Sequence, residues 1–147
     1  MKAIGILILM ATSILISIQI CKYEKYKIIY CDKMIYLASQ VSIFMKSVMP
    51  DTDMIFSYLK NSEKLKDIDI FDINSTSPLN RVENEKIAEY INSIGKYDAQ
   101  TQIDKSTEFC DSFRLIKKDY QQFYSTHYKL IYAAGFSFGA LISILLI

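Results

Sequence analysis

The stretch AIGILILMATSILISIQIC, residues 3–21, contains no charged residue, and a second uncharged stretch, LIYAAGFSFGALISILLI, occupies residues 130–147. A hydrocarbon core of about 30 Å requires roughly 20 apolar residues in a helix. Both stretches approach that length, the second when its polar flank is included. The sequence therefore predicts an N-terminal transmembrane helix over residues 1–21, a domain over residues 22–129 and a C-terminal transmembrane helix over residues 130–147.

A cleaved signal peptide is the alternative interpretation of the first stretch, because Lys2 gives it a positive start. No small-x-small cleavage site precedes the polar region, however. Cys21 follows Gln19 and Ile20, where a lipoprotein site requires small residues. We therefore expect the first stretch to remain as an anchor.

The distribution of Lys and Arg predicts the orientation. Eight basic residues of the middle segment lie near the two stretches, whereas the outer tails have Lys2 alone. The eight are Lys22, Lys25, Lys27, Lys33, Arg114, Lys117, Lys118 and Lys129. Because positively charged flanks stay in the cytoplasm, we expect a two-pass membrane protein whose middle domain is cytoplasmic and whose termini lie across the membrane.

The middle segment divides into a basic and an acidic part. Residues 22–50 and 112–129 carry nine bases and three acids (+6), and residues 51–111 carry seven bases and thirteen acids (−6). Near an anionic leaflet each close Lys or Arg contributes about 1 kcal/mol, so membrane lipids are expected partners of the basic part. The acidic part is a candidate surface for a basic partner, with an ordinary solvated helix face as the alternative. Its candidate residues, here called the acidic tip, are Asp67, Asp69, Asp72, Glu83 and Glu85.

Apolar periodicity predicts two long helices. No Gly or Pro occurs in residues 23–49, so the first span is predicted to continue as a helix until Pro50. Its apolar face consists of Met34, Leu37, Ala38, Val41, Phe44, Met45 and Val48. The last helix is predicted to start at an N-cap, Asp98, and has no Gly or Pro until Gly135. Its apolar seam consists of Ile103, Cys110, Phe113, Ile116, Tyr120, Phe123, His127 and Leu130. The predicted fold class is all-α, an antiparallel helical bundle whose long helices are continuous with two transmembrane spans.

Shorter helices are predicted between the two long ones. Asp51 or Asp53 is a fit N-cap for a short helix. Residues 60–80 are rich in Lys, Asp, Asn, Ser and Thr. Their composition is compatible with either a short helix or a loop. Pro78 is expected at a helix start, and a further helix is expected from about Asn80.

The sequence contains no constellation typical of catalysis or of metal binding. It has one histidine, His127, near the predicted membrane boundary, and four glycines, none in a phosphate-binding motif. Its cysteines, Cys21, Cys31 and Cys110, are widely spaced and expected to be reduced, with Cys110 packing as a small hydrophobe. The acidic run from Asp67 lacks the Gly and Glu of a calcium loop. We therefore expect no enzyme activity, cofactor, metal ion or small-molecule substrate, and no nucleic acid, since no basic stripe interleaves with aromatics away from the membrane.

Gly135 and Gly139 form a G-x-x-x-G motif inside the second stretch. Small residues at this spacing let transmembrane backbones approach closely. The partner of this ridge is either the first stretch, whose Gly5, Ala11 and Ser13 are also small, or another subunit. The remaining alternative is that the motif reflects only the composition of this stretch and has no packing role.

The segment IGKYDAQTQ, residues 94–102, resembles the stage III sporulation protein AB family, in which glycine, aspartate and glutamine follow the spacing G-x-x-D-x-x-x-Q. Gly95, Asp98 and Gln102 match it. The layout is also similar, with an N-terminal span, a proline-containing break and a glycine-containing C-terminal span. Read from the residues themselves, the glycine ends one helix, the aspartate caps the next and the glutamine can hydrogen-bond back across the turn. Direct contact of the motif with a partner is the alternative.

The resemblance implies a non-enzymatic helical domain similar to the cytoplasmic domains of type II secretion and type IV pilus inner-membrane platform proteins. The implied role is that of a platform in the channel complex between mother cell and forespore, required for sporulation, on the mother-cell side of the forespore outer membrane. The implied partners are other channel subunits and a secretion-type ATPase on the cytoplasmic side. The chain departs from the family in the first helix, where Val41 and Ile43 stand in place of acidic residues. A small two-span membrane regulator or adaptor, signalling through its helical domain, is the alternative function.

Overall fold

The computed structural model describes residues 2–47 and 51–145, and all regular structure in these ranges is helical. The predicted all-α class is therefore confirmed for the described residues. The helices are α1 (Lys2–Ser47), α2 (Thr52–Asn61), a 3-10 turn (Glu63–Leu65), α3 (Ile73–Thr76), α4 (Arg81–Ser93) and α5 (Ala99–Leu145). As the absence of Gly and Pro predicts, α1 continues as one helix past residue 21, where the first uncharged stretch ends. Pro50 and Val48 lie outside the described residues.

One described helix is long and apolar enough to cross a membrane. The α1 segment Leu7–Ser47 contains an 18-residue window with a mean hydropathy of 1.4, of which 11% is buried by the rest of the protein. An apolar helix with so little protein cover requires lipid or another apolar partner around it. Within the described residues α5 does not meet the same criterion. The predicted second span extends over residues 146–147, which lie outside the described part.

The chain forms two compact units. The terminal unit comprises Met1–Tyr26 and Asp119–Ile147, and the helical domain comprises Lys27–Lys118. Both α1 and α5 contribute residues to each unit.

The core of the helical domain contains the predicted apolar face of α1. Met34, Ala38 and Val41 are fully buried, whereas Phe44 is half-buried and packs edge-on against Tyr58 at 4.4 Å between ring centroids. The other helices contribute Ile55, Leu59, Ile87, Tyr90, Ile91, Phe109, Cys110 and Phe113 to this core. Burial of an aliphatic or aromatic side chain of this size contributes about 1.5–3 kcal/mol to the free energy of unfolding. This shared core is therefore the main source of the domain's stability.

The short helices begin where side chains satisfy their first backbone N–H groups. Asp51 is the N-cap of α2 and accepts a 2.9 Å bond from the backbone of Thr52, so the structure selects it over Asp53. Asn80 caps α4 and forms a capping box with Glu83.

Pro78 does not start a helix, contrary to the prediction. The side chain of Asn80 supplies the cap two residues later, and α4 begins after it. Before the proline, Ser77 Oγ donates to Asn84 Oδ1 at 2.5 Å and accepts from the backbone of Leu79, which holds the approach to α4 in place.

The predicted apolar seam of α5 is correct only for part of the helix. Cys110 and Phe113 are buried in the helical domain, but Phe123 is 46% exposed and Leu130 is 64% exposed in the terminal unit. The seam residues Tyr120 and His127 in the same unit are half-buried. In the terminal unit, Gly139 and Ser143 are the buried residues of α5 instead.

Candidate functional sites

The predicted motif forms the corner between α4 and α5. Gly95 follows the C-cap of α4 with a φ of +79°, a left-handed conformation that residues with a Cβ adopt at a cost. An added Cβ would overlap Thr52 Oγ1 and lie 2.9 Å from Thr52 Cγ2. The backbone N–H of Gly95 donates to Gln102 Oε1 at 3.2 Å. The glycine therefore allows both the sharp turn and the close approach of α2.

Asp98 caps α5, as predicted. Its carboxylate accepts from the backbone N–H of Thr101 at 3.1 Å and from the Thr101 hydroxyl at 2.5 Å. These two bonds favour the ionised form and hold the pKa of the Asp98 carboxyl below its usual value. The structure thus assigns Asp98 a helix-forming role, with its carboxylate at the surface.

Gln102 is the buried centre of the motif. Its side chain is fully buried, and its backbone carbonyl accepts a 2.8 Å bond from Ser106 Oγ, which in turn shares a 2.8 Å bond with Tyr90 OH. Burial raises the pKa of Tyr90, so its hydroxyl stays protonated. A chain of hydrogen bonds therefore runs inside the domain from Gly95 through Gln102 and Ser106 to Tyr90. The motif residues form a structural lock between α4 and α5.

Sequence reasoning missed Tyr90's polar role, Ser106 and Thr52. Ser106 follows Gln102 by one helical turn, so the two share a helix face. This four-residue spacing is the signal in the sequence that could have pointed to Ser106. No pattern in the sequence indicates the contact of Thr52 with Gly95, because it joins residues of two different helices.

The three cysteines are free and buried, and Cys110 packs in the core, as predicted for it. Burial raises the pKa of the Cys31 thiol to about 12, and burial also raises the pKa of Cys110. Cys110 Sγ lies 3.5 Å from the backbone carbonyl of Ile35. Protonated, buried thiols are weak nucleophiles, which gives both residues a packing role.

The glycines of the predicted G-x-x-x-G motif lie against the first uncharged stretch of the same chain. Ser13 Oγ donates to the carbonyl of Gly135 at 2.5 Å. A Cβ at Gly135 would lie 3.1 Å from Ser17 Cβ and overlap its hydroxyl, and a Cβ at Gly139 would lie 3.2 Å from Ser13 Cβ. Gly5 has nothing within 4 Å of an added Cβ. Of the two partners left open by the sequence, the described contacts therefore involve the first stretch.

Gly135→Leu is expected to destabilise the terminal unit by about 2 kcal/mol, since the new side chain must displace Ser17 and Ser13. The measurement is the thermal midpoint of the full chain in detergent micelles. Ala134→Leu is the matched control, because Ala134 is exposed one residue away and its replacement should leave the midpoint unchanged. Equal midpoints for the two variants, with a change in oligomeric state for Gly135→Leu, would instead make the ridge an intersubunit surface.

The acidic tip lies on two segments, the loop before α3 and the start of α4. Asp67 forms an ion pair with Lys33 of α1. Asp69 Oδ1 accepts from the backbone N–H groups of Phe71 and Asp72 at 3.0 and 3.3 Å. The other two acids have contacts within α4 and its cap. Glu83 belongs to the capping box of α4, and Glu85 pairs with Arg81 at 2.8 Å.

The Lys33–Asp67 pair predicts a specific pH dependence. The bond from Lys33 lowers the pKa of Asp67 below its usual 3.8, so its contribution is present above pH 3.8 and is lost as the pH falls through the lowered pKa. Because the Asp67 side chain is 54% exposed, solvent limits the contribution to below about 1 kcal/mol. Asp67→Asn should therefore lower the free energy of unfolding slightly at pH 7 and by a smaller amount at pH 2. Urea titrations at both pH values measure this, with Asp72→Asn as the exposed control, and an equal loss at both would contradict the assignment.

No group of three His, Cys, Asp or Glu side chains within residues 2–47 and 51–145 is arranged to hold a metal ion. His127 bonds through Nδ1 to the backbone carbonyl of Phe123 at 2.9 Å and stacks on its ring at 4.3 Å. The chain matches no family model, no curated protein and no solved structure.

Proposed function

We propose that the chain is a non-enzymatic, two-pass membrane platform that assembles a channel complex between mother cell and forespore. In this proposal residues 1–21 and 130–147 cross the membrane, and the helical domain faces the cytoplasm. The observation that carries it is the contact of Ser13 Oγ with the Gly135 carbonyl, because it joins the two predicted spans through a serine and a glycine ridge. Serine hydroxyls and small residues at a close helix contact are typical of helix pairs in lipid.

The arrangement proposed for the domain is an antiparallel helical bundle. Within the helical domain, Cys110 of α5 lies by Ile35 of α1, and Lys117 of α5 pairs with Asp32 of α1 at 2.6 Å. Residue numbers rise along α5 as they fall along α1 in these contacts, which supports an antiparallel pairing. The exposed apolar window of α1 supports its membrane location.

The specific assignment to sporulation follows from the resemblance of the motif Gly95, Asp98 and Gln102 to the stage III sporulation protein AB family. The structural role of the motif in the corner between α4 and α5 supports a shared fold, since the glycine, the cap and the buried amide form one hydrogen-bonded unit. The partners proposed are other channel subunits in the membrane and a secretion-type ATPase at the acidic tip. Asp69, Asp72 and Glu85 are the acids of the tip that are exposed and have only local contacts, such as that of Glu85 with Arg81.

Co-purification tests this proposal. The tagged full chain, extracted in mild detergent from sporulating cells, is expected to retain a secretion-type ATPase and further membrane subunits. A variant with Asp69→Lys, Asp72→Lys and Glu85→Lys should lose the ATPase and keep the membrane subunits. The control variant reverses three exposed acids elsewhere, Glu63→Lys, Asp104→Lys and Asp119→Lys.

Two outcomes would contradict the proposal. Expression and function in vegetative cells would remove the link to sporulation and favour a small two-span regulator or adaptor. Equal loss of the ATPase in both charge-reversed variants would show that overall charge, and not the acidic tip, determines binding.

A further inference from the structure

The helical domain holds one aromatic ring almost bare in solvent. Phe71 is 73% exposed, the highest value among the exposed large apolar side chains that the structure describes. Its neighbour Ile70 is buried, and the two bonds to Asp69 Oδ1 fix the backbone at Phe71 and Asp72. The exposure is therefore built into an anchored segment. A single exposed apolar side chain is common on protein surfaces, so the case for an interface depends on the charges beside this ring and on a complementary surface.

Two carboxylates flank this ring. Asp69 and Asp72 are both exposed, and they give the segment two negative charges beside Phe71. We refer to Asp69, Phe71 and Asp72 together as the knob. A surface complementary to the knob would be a recess with an aromatic wall to contact the ring and amines at its rim to pair with the carboxylates.

An open groove of about 610 Å³ between α4 and α5 has that chemistry. Three of the seven bases in residues 51–111 line it, and they are Lys86, Lys96 and Lys105. Two carboxylates, Glu89 and Glu108, also line it, which leaves an excess of one positive charge in an otherwise acidic part of the chain. The knob and the groove therefore carry opposite charge.

Aromatic rings form the apolar part of the groove. Tyr97 is 47% exposed on its wall, with the amine of Lys105 4.6 Å from the ring centroid. Tyr90 and Phe109 stack at 4.2 Å in its floor. Phe71 is not among the lining residues and packs instead near Phe56, at 5.6 Å between ring centroids. The chain's own knob thus does not fill its own groove.

We propose that the knob of one copy docks into the groove of a second copy. Phe71 then covers Tyr97, and the carboxylates of Asp69 and Asp72 pair with the groove amines. Because knob and groove are different surfaces, the contact is heterologous, and each copy keeps a second free surface for the next copy. A contact built on one ring and a few rim charges is small, so the association is reversible and concentration-dependent. The inference does not rest on the proposed sporulation role, but both proposals use Asp69 and Asp72, so a knob seated in a second copy is closed to the ATPase. Phe71→Ser keeps both carboxylates and therefore tests the docking alone.

Sedimentation velocity of the full chain in detergent micelles tests this docking. The native chain is expected to form dimers and larger species as the protein concentration rises. Phe71→Ser, the knob variant, and Lys96→Glu with Lys105→Glu, the groove variant, should each weaken association at least tenfold. Leu115→Ser is the control, since Leu115 is a 66% exposed apolar residue of the same domain that belongs to neither surface.

Mixing the two variants is the decisive step. A knob variant retains its groove and a groove variant retains its knob, so an equimolar mixture is expected to form one-to-one dimers that grow no further. A chain that stays monomeric at all concentrations, unchanged association in either variant, or a mixture that remains monomeric would each overturn the proposal. Far-UV circular dichroism identical to that of the native chain confirms that the surface variants are folded.

Discussion

Replacing Gln102 by alanine is expected to lower the free energy of unfolding by about 3 kcal/mol. The Gln102 side chain is fully buried, so its removal leaves a cavity in the core of the helical domain. This cost exceeds the gain from removing its Nε2, which is buried without a hydrogen-bond partner. The substitution also removes the acceptor for the backbone N–H of Gly95, which is then left without its bond at the corner. The measurement is a urea titration of the full chain in detergent micelles, followed by far-UV circular dichroism.

Gln100→Ala is the matched control for this prediction. Gln100 lies on the same helix, is exposed, and bonds only to the exposed Asp104, at 3.0 Å, among the contacts that the structure gives it. Its replacement should change the free energy of unfolding by less than about 0.5 kcal/mol. Equal effects of the two substitutions would mean that the buried amide does not stabilise the corner.

Gly95→Ala is expected to destabilise the chain by about 3 kcal/mol. One part of the cost is the left-handed φ of +79°, which a Cβ disfavours by about 1–2 kcal/mol. The other part is the overlap of the new methyl group with Thr52. Both costs fall on the folded state and are read from the same urea titration.

Two further variants separate these costs. Adding Thr52→Ala removes the hydroxyl and methyl groups that collide and should restore part of the loss, leaving the cost of the backbone conformation. Gly5→Ala, in a helix position with nothing within 4 Å, should be neutral or slightly stabilising because alanine favours helices. A Gly95→Ala variant as stable as Gly5→Ala would contradict the geometry of the corner.

The sequence predicts those parts of the fold that depend on local chemistry. Gly95 and Asp98 act on backbone groups within four residues of themselves, so their roles as helix stop and helix cap follow from residue type and spacing. Gln102 was also predictable as a bond back across the turn. The apolar face of α1 in the helical domain followed from the same short-range periodicity.

Contacts between distant residues were not predictable in the same way. The G-x-x-x-G motif indicates a close helix contact but not its partner, and only the folded chain brings Gly135 to Ser13. The ion pair of Lys33 with Asp67 joins residues that the charge distribution had assigned to two different surfaces. The predicted seam of α5 was wrong at Phe123 and Leu130, because an apolar pattern along one helix does not show where other parts of the chain cover it.

The central claim is that two membrane spans carry a cytoplasmic helical domain, and cysteine labelling in intact cells tests it most directly. The native cysteines are buried, which keeps the background low. One variant carries Asn61→Cys, at an exposed position of α2, and another carries a cysteine appended after Ile147. With the chain produced in the plasma membrane of a non-sporulating host, a membrane-impermeant maleimide is expected to label the appended cysteine in intact cells and Asn61→Cys only after permeabilisation. Labelling of both positions from the same side of the membrane would contradict the account.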